Sequence, residues 1–187
     1  MTYPTYITLK FVTIIVGLLM TFGHLPSALA PVRAAAVMKT LPRNYPLGVV
    51  LMLAATLWFT ALTGLMDLGE LSGMRTGLMT VWAVAGVLTV IFVPGFLAAR
   101  GFGCLLLLAA AVILDSAFLV PTPARFVMTI LAYIWVIKGM ILVYSPHLWR
   151  NFIDFATHTP ERLRLLSWPG VAFGLLLIGL ALFVYPS

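Results

Sequence analysis

Six apolar stretches, each about long enough to cross a bilayer, fill almost all of this 187-residue chain. A bilayer core needs about 20 predominantly apolar residues per helix. The runs Tyr6–Leu25, Leu47–Met66, Leu78–Leu97, Gly101–Val120, Phe126–Tyr144 and Pro169–Tyr185 meet that length. With 63% hydrophobic and 9% charged residues, the chain cannot build the surface of a soluble domain, which is about half apolar and a quarter charged. Lipid is the solvent left to it. Backbone groups in hydrocarbon must be satisfied within a helix or a closed barrel, and barrel strands alternate apolar and polar over about 10 residues. The run LMTVWAVAGVLTVIFVPGFLAA (Leu78–Ala99) does not alternate. The expectation is an all-α, polytopic membrane bundle of six spans, a single domain over residues 1–187, because the connections are too short to hold anything else.

The formal charge of +6 comes from eleven basic residues scattered among loops and helix ends. No run or basic arm is present, so nucleic acid is not an expected partner; anionic headgroups and topology explain the pattern. The first, third and fifth connections carry Arg33, Lys39, Arg43, Arg100, Arg150, Arg162 and Arg164, with Lys138 near the end of the fifth span. Lys10, Arg75 and Arg125 lie on the other side. Positive charge favours the cytoplasm, so both termini are expected outside. Near the N-terminus, Lys10, the apolar run Phe11–Phe22 and Ala28-Leu29-Ala30 imitate a signal peptide. A proline at position 31 and a single basic residue argue against cleavage, so this segment is expected to be the first span.

Prolines and small polar residues punctuate the spans. Thr122-Pro123, Ser145-Pro146 and Thr159-Pro160 read as N-caps followed by proline at the first helical position. Pro46 and Pro169 read as openings of the second and sixth spans, and Pro94 should kink or end the third. Between the last two spans, Leu148, Trp149, Phe152, Ile153, Phe155 and Ala156 recur at helical spacing with Arg150, Asn151, Asp154 and Thr157 between them. An amphipathic helix over residues 146–158 is expected in the headgroup layer. Trp149, Phe152, Ile153 and Trp168 would then contact the interface or a protein partner.

Chemical groups are few. Imidazoles ligate haem or hydrogen-bond a quinone, and His24 and His147 would meet only if the first and fifth spans were neighbours. No cofactor is expected on that basis, and His158 reads as solvated. Charges within spans are costly and mark functional candidates. Lys138 can snorkel about 9 Å to its helix end. Asp115 is expected to pair with Arg125 or Arg75, the alternative being a transport path lined by Asp115 and Lys138. Gly69, Gly73 and Gly77 allow close helix approach or a flexible turn, and Gly170 and Gly174 form a GxxxG packing motif. The lone cysteine, Cys104, reads as a small buried apolar residue. The chain has no HExxH, CxxC, Walker A or GxSxG motif and no arginine ladder, so an enzyme gains no support.

From Ser145 the pattern SPHLWRNF…TPERLRLLSWPGVAFGLLLIGLAL resembles small two-helix bacterial inner-membrane proteins of a family of unknown function. Those carry a serine-proline, a basic-aromatic stretch, a leucine-arginine-rich turn and a glycine-containing last helix. The resemblance covers under a quarter of the chain, departs at Pro169 after Trp168, and implies location in a bacterial inner membrane with no catalytic residues to transfer. The expected function is a non-catalytic accessory or assembly subunit, with membrane lipid and either protein partners or further copies of itself around it.

Overall fold

The computed structural model describes residues 8–118 and 120–185. Helix accounts for 88% of it and no strand occurs among the described residues, as an apolar chain without alternation requires. Eight α-helices follow in order: α1 (Leu9–Leu29), α2 (Pro31–Thr40), α3 (Tyr45–Leu65), α4 (Arg75–Phe92), α5 (Leu97–Ala117), α6 (Arg125–Tyr144), α7 (Pro146–Ala156) and α8 (Pro160–Phe183). Six stretches are long and apolar enough to cross a bilayer: α1, α3, α4 with the 3₁₀ turns before it, α5, α6 and α8. The chain is therefore an all-α integral membrane bundle.

Helix ends follow local chemistry. Thr8 accepts a hydrogen bond from the Phe11 amide, Asn44 from Leu47 and Thr159 from Arg162, each satisfying one orphan donor of a first turn. Of the two outcomes expected at Pro94 the structure takes the second: α4 ends at Phe92, five residues short of the expected Leu97, and α5 begins at Leu97 rather than Gly101. Pro94 has no N–H for the Val90 carbonyl, and the Tyr45 hydroxyl donates to that oxygen at 3.4 Å instead.

Several sequence boundaries move. The first span runs four residues further, to Leu29, with Pro26 inside it; Tyr6 and Ile7 of the expected span lie outside the described residues. The last span begins at Pro160, not Pro169, and passes through Pro169. Its real start has a side-chain cap and proline in the first turn, and a single missing bond at Pro169 does not break a helix held along its length by α1. Thr122 is not the N-cap of α6, which starts at Arg125 after Ala124. Ser145 stands at the start of α7 without a side-chain capping bond.

Spans pack as an open row. α8 lies on α1, α1 touches α5, α5 also carries α6 and α3, and among the described residues α4 packs chiefly on α3. The core joins α1, α5, α6 and α8 through Val12, Val16, Ile113, Met128, Leu131 and Leu177. Lipid tails are as apolar as leucine, so helices associate by close fit. Two seams show it. A Cβ on Gly17 would stand 2.9 Å from the Gly174 carbonyl, and one on Gly103 2.9 Å from the Gly139 carbonyl.

Candidate functional site

One end of the row gathers the first and fifth connections. α2 packs on α1, α7 and α8, the 3₁₀ turn Leu41–Arg43 packs on α5, and α7 touches α5, α6 and α8. Arg164 ties the start of α8 to the end of α1 by donating to the Ala28 carbonyl at 3.1 Å. The arginines of the odd connections thus share one face with the two short helices.

α7 divides into three arcs. Pro146, Ile153 and Ala156 are buried against the bundle, and Trp149 beside them stacks on Phe102 of α5 at 5.6 Å and 19°. Leu148, Phe152 and Phe155 form a neighbouring exposed apolar arc. His147, Asn151, Asp154 and His158 lie on the exposed polar side. Of the four aromatic and aliphatic anchors expected at an interface or partner, Trp149 and Ile153 are engaged inside the chain, while Phe152 and Trp168 remain exposed. An apolar helix face does not reveal in sequence how much of it its own bundle will take.

His24 and His147 are not brought together. The last span, not the fifth, is the neighbour against which His24 sits: its ring lies over Gly170 and its Nδ1 is 2.8 Å from the Met20 carbonyl. His147 is exposed on α7. Among the described residues no three histidine, cysteine or acidic side chains converge on a point.

Nor does Asp115 find an arginine among the described residues. Arg75 donates to the Gly64 carbonyl at 3.0 Å and to the Met66 carbonyl at 3.1 Å, closing the C-terminus of α3. The Arg125 guanidinium lies 5.2 Å from the Phe126 ring centre. Both expected partners are engaged elsewhere because backbone carbonyls and an aromatic face are nearer than the carboxylate. Asp115 and Lys138 are exposed. Contact between Leu107 and Gly139 sets Lys138 level with about Leu107, so Asp115 lies some eight residues, about 12 Å, further along the axis.

The feature that sequence reasoning missed is a cleft of about 310 Å³ between α3, α4 and α5. Its floor is Met52, Ala55, Thr56 and Phe59 of α3; α4 supplies Trp82, Ala85, Gly86 and Thr89; α5 supplies Cys104, Leu107 and Leu108. It exists because α4 leans on α3 at Gly86, where a Cβ would strike the Thr56 side chain, and does not pack on α5. Phe59 and Trp82 close one end edge to face at 5.2 Å. On α5 the same stripe continues at helical spacing to Arg100 on one side and Asp115 on the other, roughly 22 Å apart. The Arg100 Nε is buried and has no hydrogen-bond partner among the described residues. The signal in sequence was that spacing of Arg100, Cys104, Leu107 and Leu108, which no local rule separates from ordinary packing.

Comparison of the chain with protein-family models, with curated proteins and with solved structures returns no match.

Proposed function

We propose that this protein is an accessory subunit of a membrane complex in a bacterial inner membrane, holding partner protein and lipid rather than converting a substrate. The observation that carries the reading is α4. Among the described residues it packs chiefly on one span, none of its residues is buried, and the side away from the cleft presents Gly77, Val84, Val87 and Ile91. Gly17, Gly48, Gly103, Gly139 and Gly174 each seat a helix of this same chain, whereas Gly77, like Gly23 and Gly179, opens into free space. A small residue followed by a ridge of β-branched side chains suits a second helix in lipid. Most hydroxyls within the spans are engaged: Thr13, Thr21, Thr56, Thr63, Thr89 and Ser167 bond the carbonyl four residues back, while the buried Thr60 hydroxyl has no partner among the described residues.

A photoreactive phenylalanine analogue at Val87, illuminated in native membranes, tests this directly. A stoichiometric protein adduct supports the reading. Lipid adducts alone, from a protein that purifies by itself, sink it. The basic residues gathered at the α2 and α7 end support a cytoplasmic location for that end. In a Cys104→Ala background, a cysteine at Ser72 should react with an impermeant maleimide from outside and one at Asn151 should not.

A further inference from the structure

We propose that the cleft between α3, α4 and α5 holds one acyl chain of an anionic phospholipid, whose phosphate is met by Arg100. The chemistry of the cleft wall selects hydrocarbon. Thr56 donates to the Met52 carbonyl and Thr89 to the Ala85 carbonyl, each at 2.8 Å, so neither hydroxyl proton is free for a ligand. The remaining polar groups are the Cys104 thiol, a weak donor, and the Trp82 indole N–H. A polar ligand would leave its own groups unsatisfied here, at about 1–3 kcal/mol each.

The cleft is elongated, running along about 10 Å of helix from Met52 to Phe59, a shape that suits one acyl chain. The cleft is also open sideways, because α4 and α5 do not pack together along it, so a lipid enters from the bilayer without any rearrangement.

Arg100 supplies the second, independent observation. It sits one turn before Cys104 on the stripe that lines the cleft, about 6 Å nearer the end where α2 and α7 gather. That is the headgroup end of a chain lying in the cleft. Its buried Nε lacks an acceptor, and a guanidinium in that condition suits the forked, charge-assisted contact of a phosphate.

Full-length protein, delipidated in dodecyl maltoside, is titrated with phosphatidylglycerol or with phosphatidylcholine of identical chains. Two quantities are followed: lipid stoichiometry by native mass spectrometry, and the rate at which N-ethylmaleimide modifies Cys104. One phosphatidylglycerol should be retained. At ten times its Kd the thiol should react about tenfold more slowly, since the free fraction falls to about a tenth. Phosphatidylcholine should bind about fivefold more weakly, the factor for ~1 kcal/mol per basic residue at a membrane surface. Arg100→Gln should erase that preference at unchanged melting temperature, and Leu108→Trp should remove binding of both lipids. A thiol rate indifferent to lipid in the wild-type protein overturns the proposal whatever the variants do. So does a preference that survives in Arg100→Gln, or a protein helix cross-linked to Cys104 in place of lipid.

Discussion

Replacing Gly103 by alanine tests the seam that joins α5 to α6. The new methyl would stand 2.9 Å from the Gly139 carbonyl oxygen, 2.9 Å from Leu142 Cβ and 3.0 Å from Val143 Cγ2. Comfortable carbon contacts lie at about 3.5–4.0 Å, so the two helices must part by roughly half an ångström. Two of the three neighbours are a backbone oxygen and a Cβ, and neither can rotate away. A gap of that size forfeits a quarter or more of each dispersion contact along the seam, and overpacking of this kind costs about 1–3 kcal/mol. Alanine returns about 0.4–1 kcal/mol by restricting the unfolded chain. The net loss is about 1–2 kcal/mol, or a fall of roughly 3–6 °C in Tm for a chain of this length. Survival of the monodisperse chromatographic peak after heating in detergent reads it. Gly23→Ala, where nothing lies within 4 Å of the added Cβ, should leave Tm unchanged or raise it. Because the Gly139 Cβ would meet the Gly103 carbonyl at 2.9 Å, Gly139→Ala on top of Gly103→Ala should cost less than the sum. A Gly103→Ala protein that melts at or above wild type refutes this account of the seam.

Arg75→Leu strips two carbonyls of α3 of their donor and should cost about 1 kcal/mol, seen as faster proteolysis between residues 66 and 75; Arg75→Lys should restore only part, since an ammonium lacks the planar fork. Trp149→Ala removes the stack on Phe102, worth about 0.5–1.5 kcal/mol beyond its area, and should speed amide exchange in α7 while leaving α6 as protected as before. Burial pushes the Tyr185 phenol above its ordinary value of 10.0, and its hydroxyl donates to the Ala124 carbonyl at 2.8 Å. The folded state therefore favours the protonated form: its contribution is whole below pH about 10 and is lost as pH rises through the higher folded value. Tm measured from pH 8 to 12 should fall more steeply for wild type than for Tyr185→Phe, and parallel curves would show that this phenol does not set the alkaline limit.

The sequence by itself determined the solvent and the number of spans. Hydropathy is a local property, summed over about 20 residues, and no tertiary arrangement can offset the cost of an unsatisfied backbone in lipid. It also determined that Pro94 would kink or end the third span and that an amphipathic helix would lie within residues 146–158, because both follow from backbone chemistry and spacing. Tertiary structure alone decided which faces meet. In a membrane the partner of a leucine is as readily lipid as protein, so apolar residues carry no address, and the seams are written instead in glycines whose role appears only when another backbone arrives. That is why Gly170 and Gly174 are covered by α1 while Gly77 faces open space. It is also why Arg75 closes α3 rather than pairing with Asp115. The cleft beside Cys104 is decided the same way, by the angle at which α4 leaves α3.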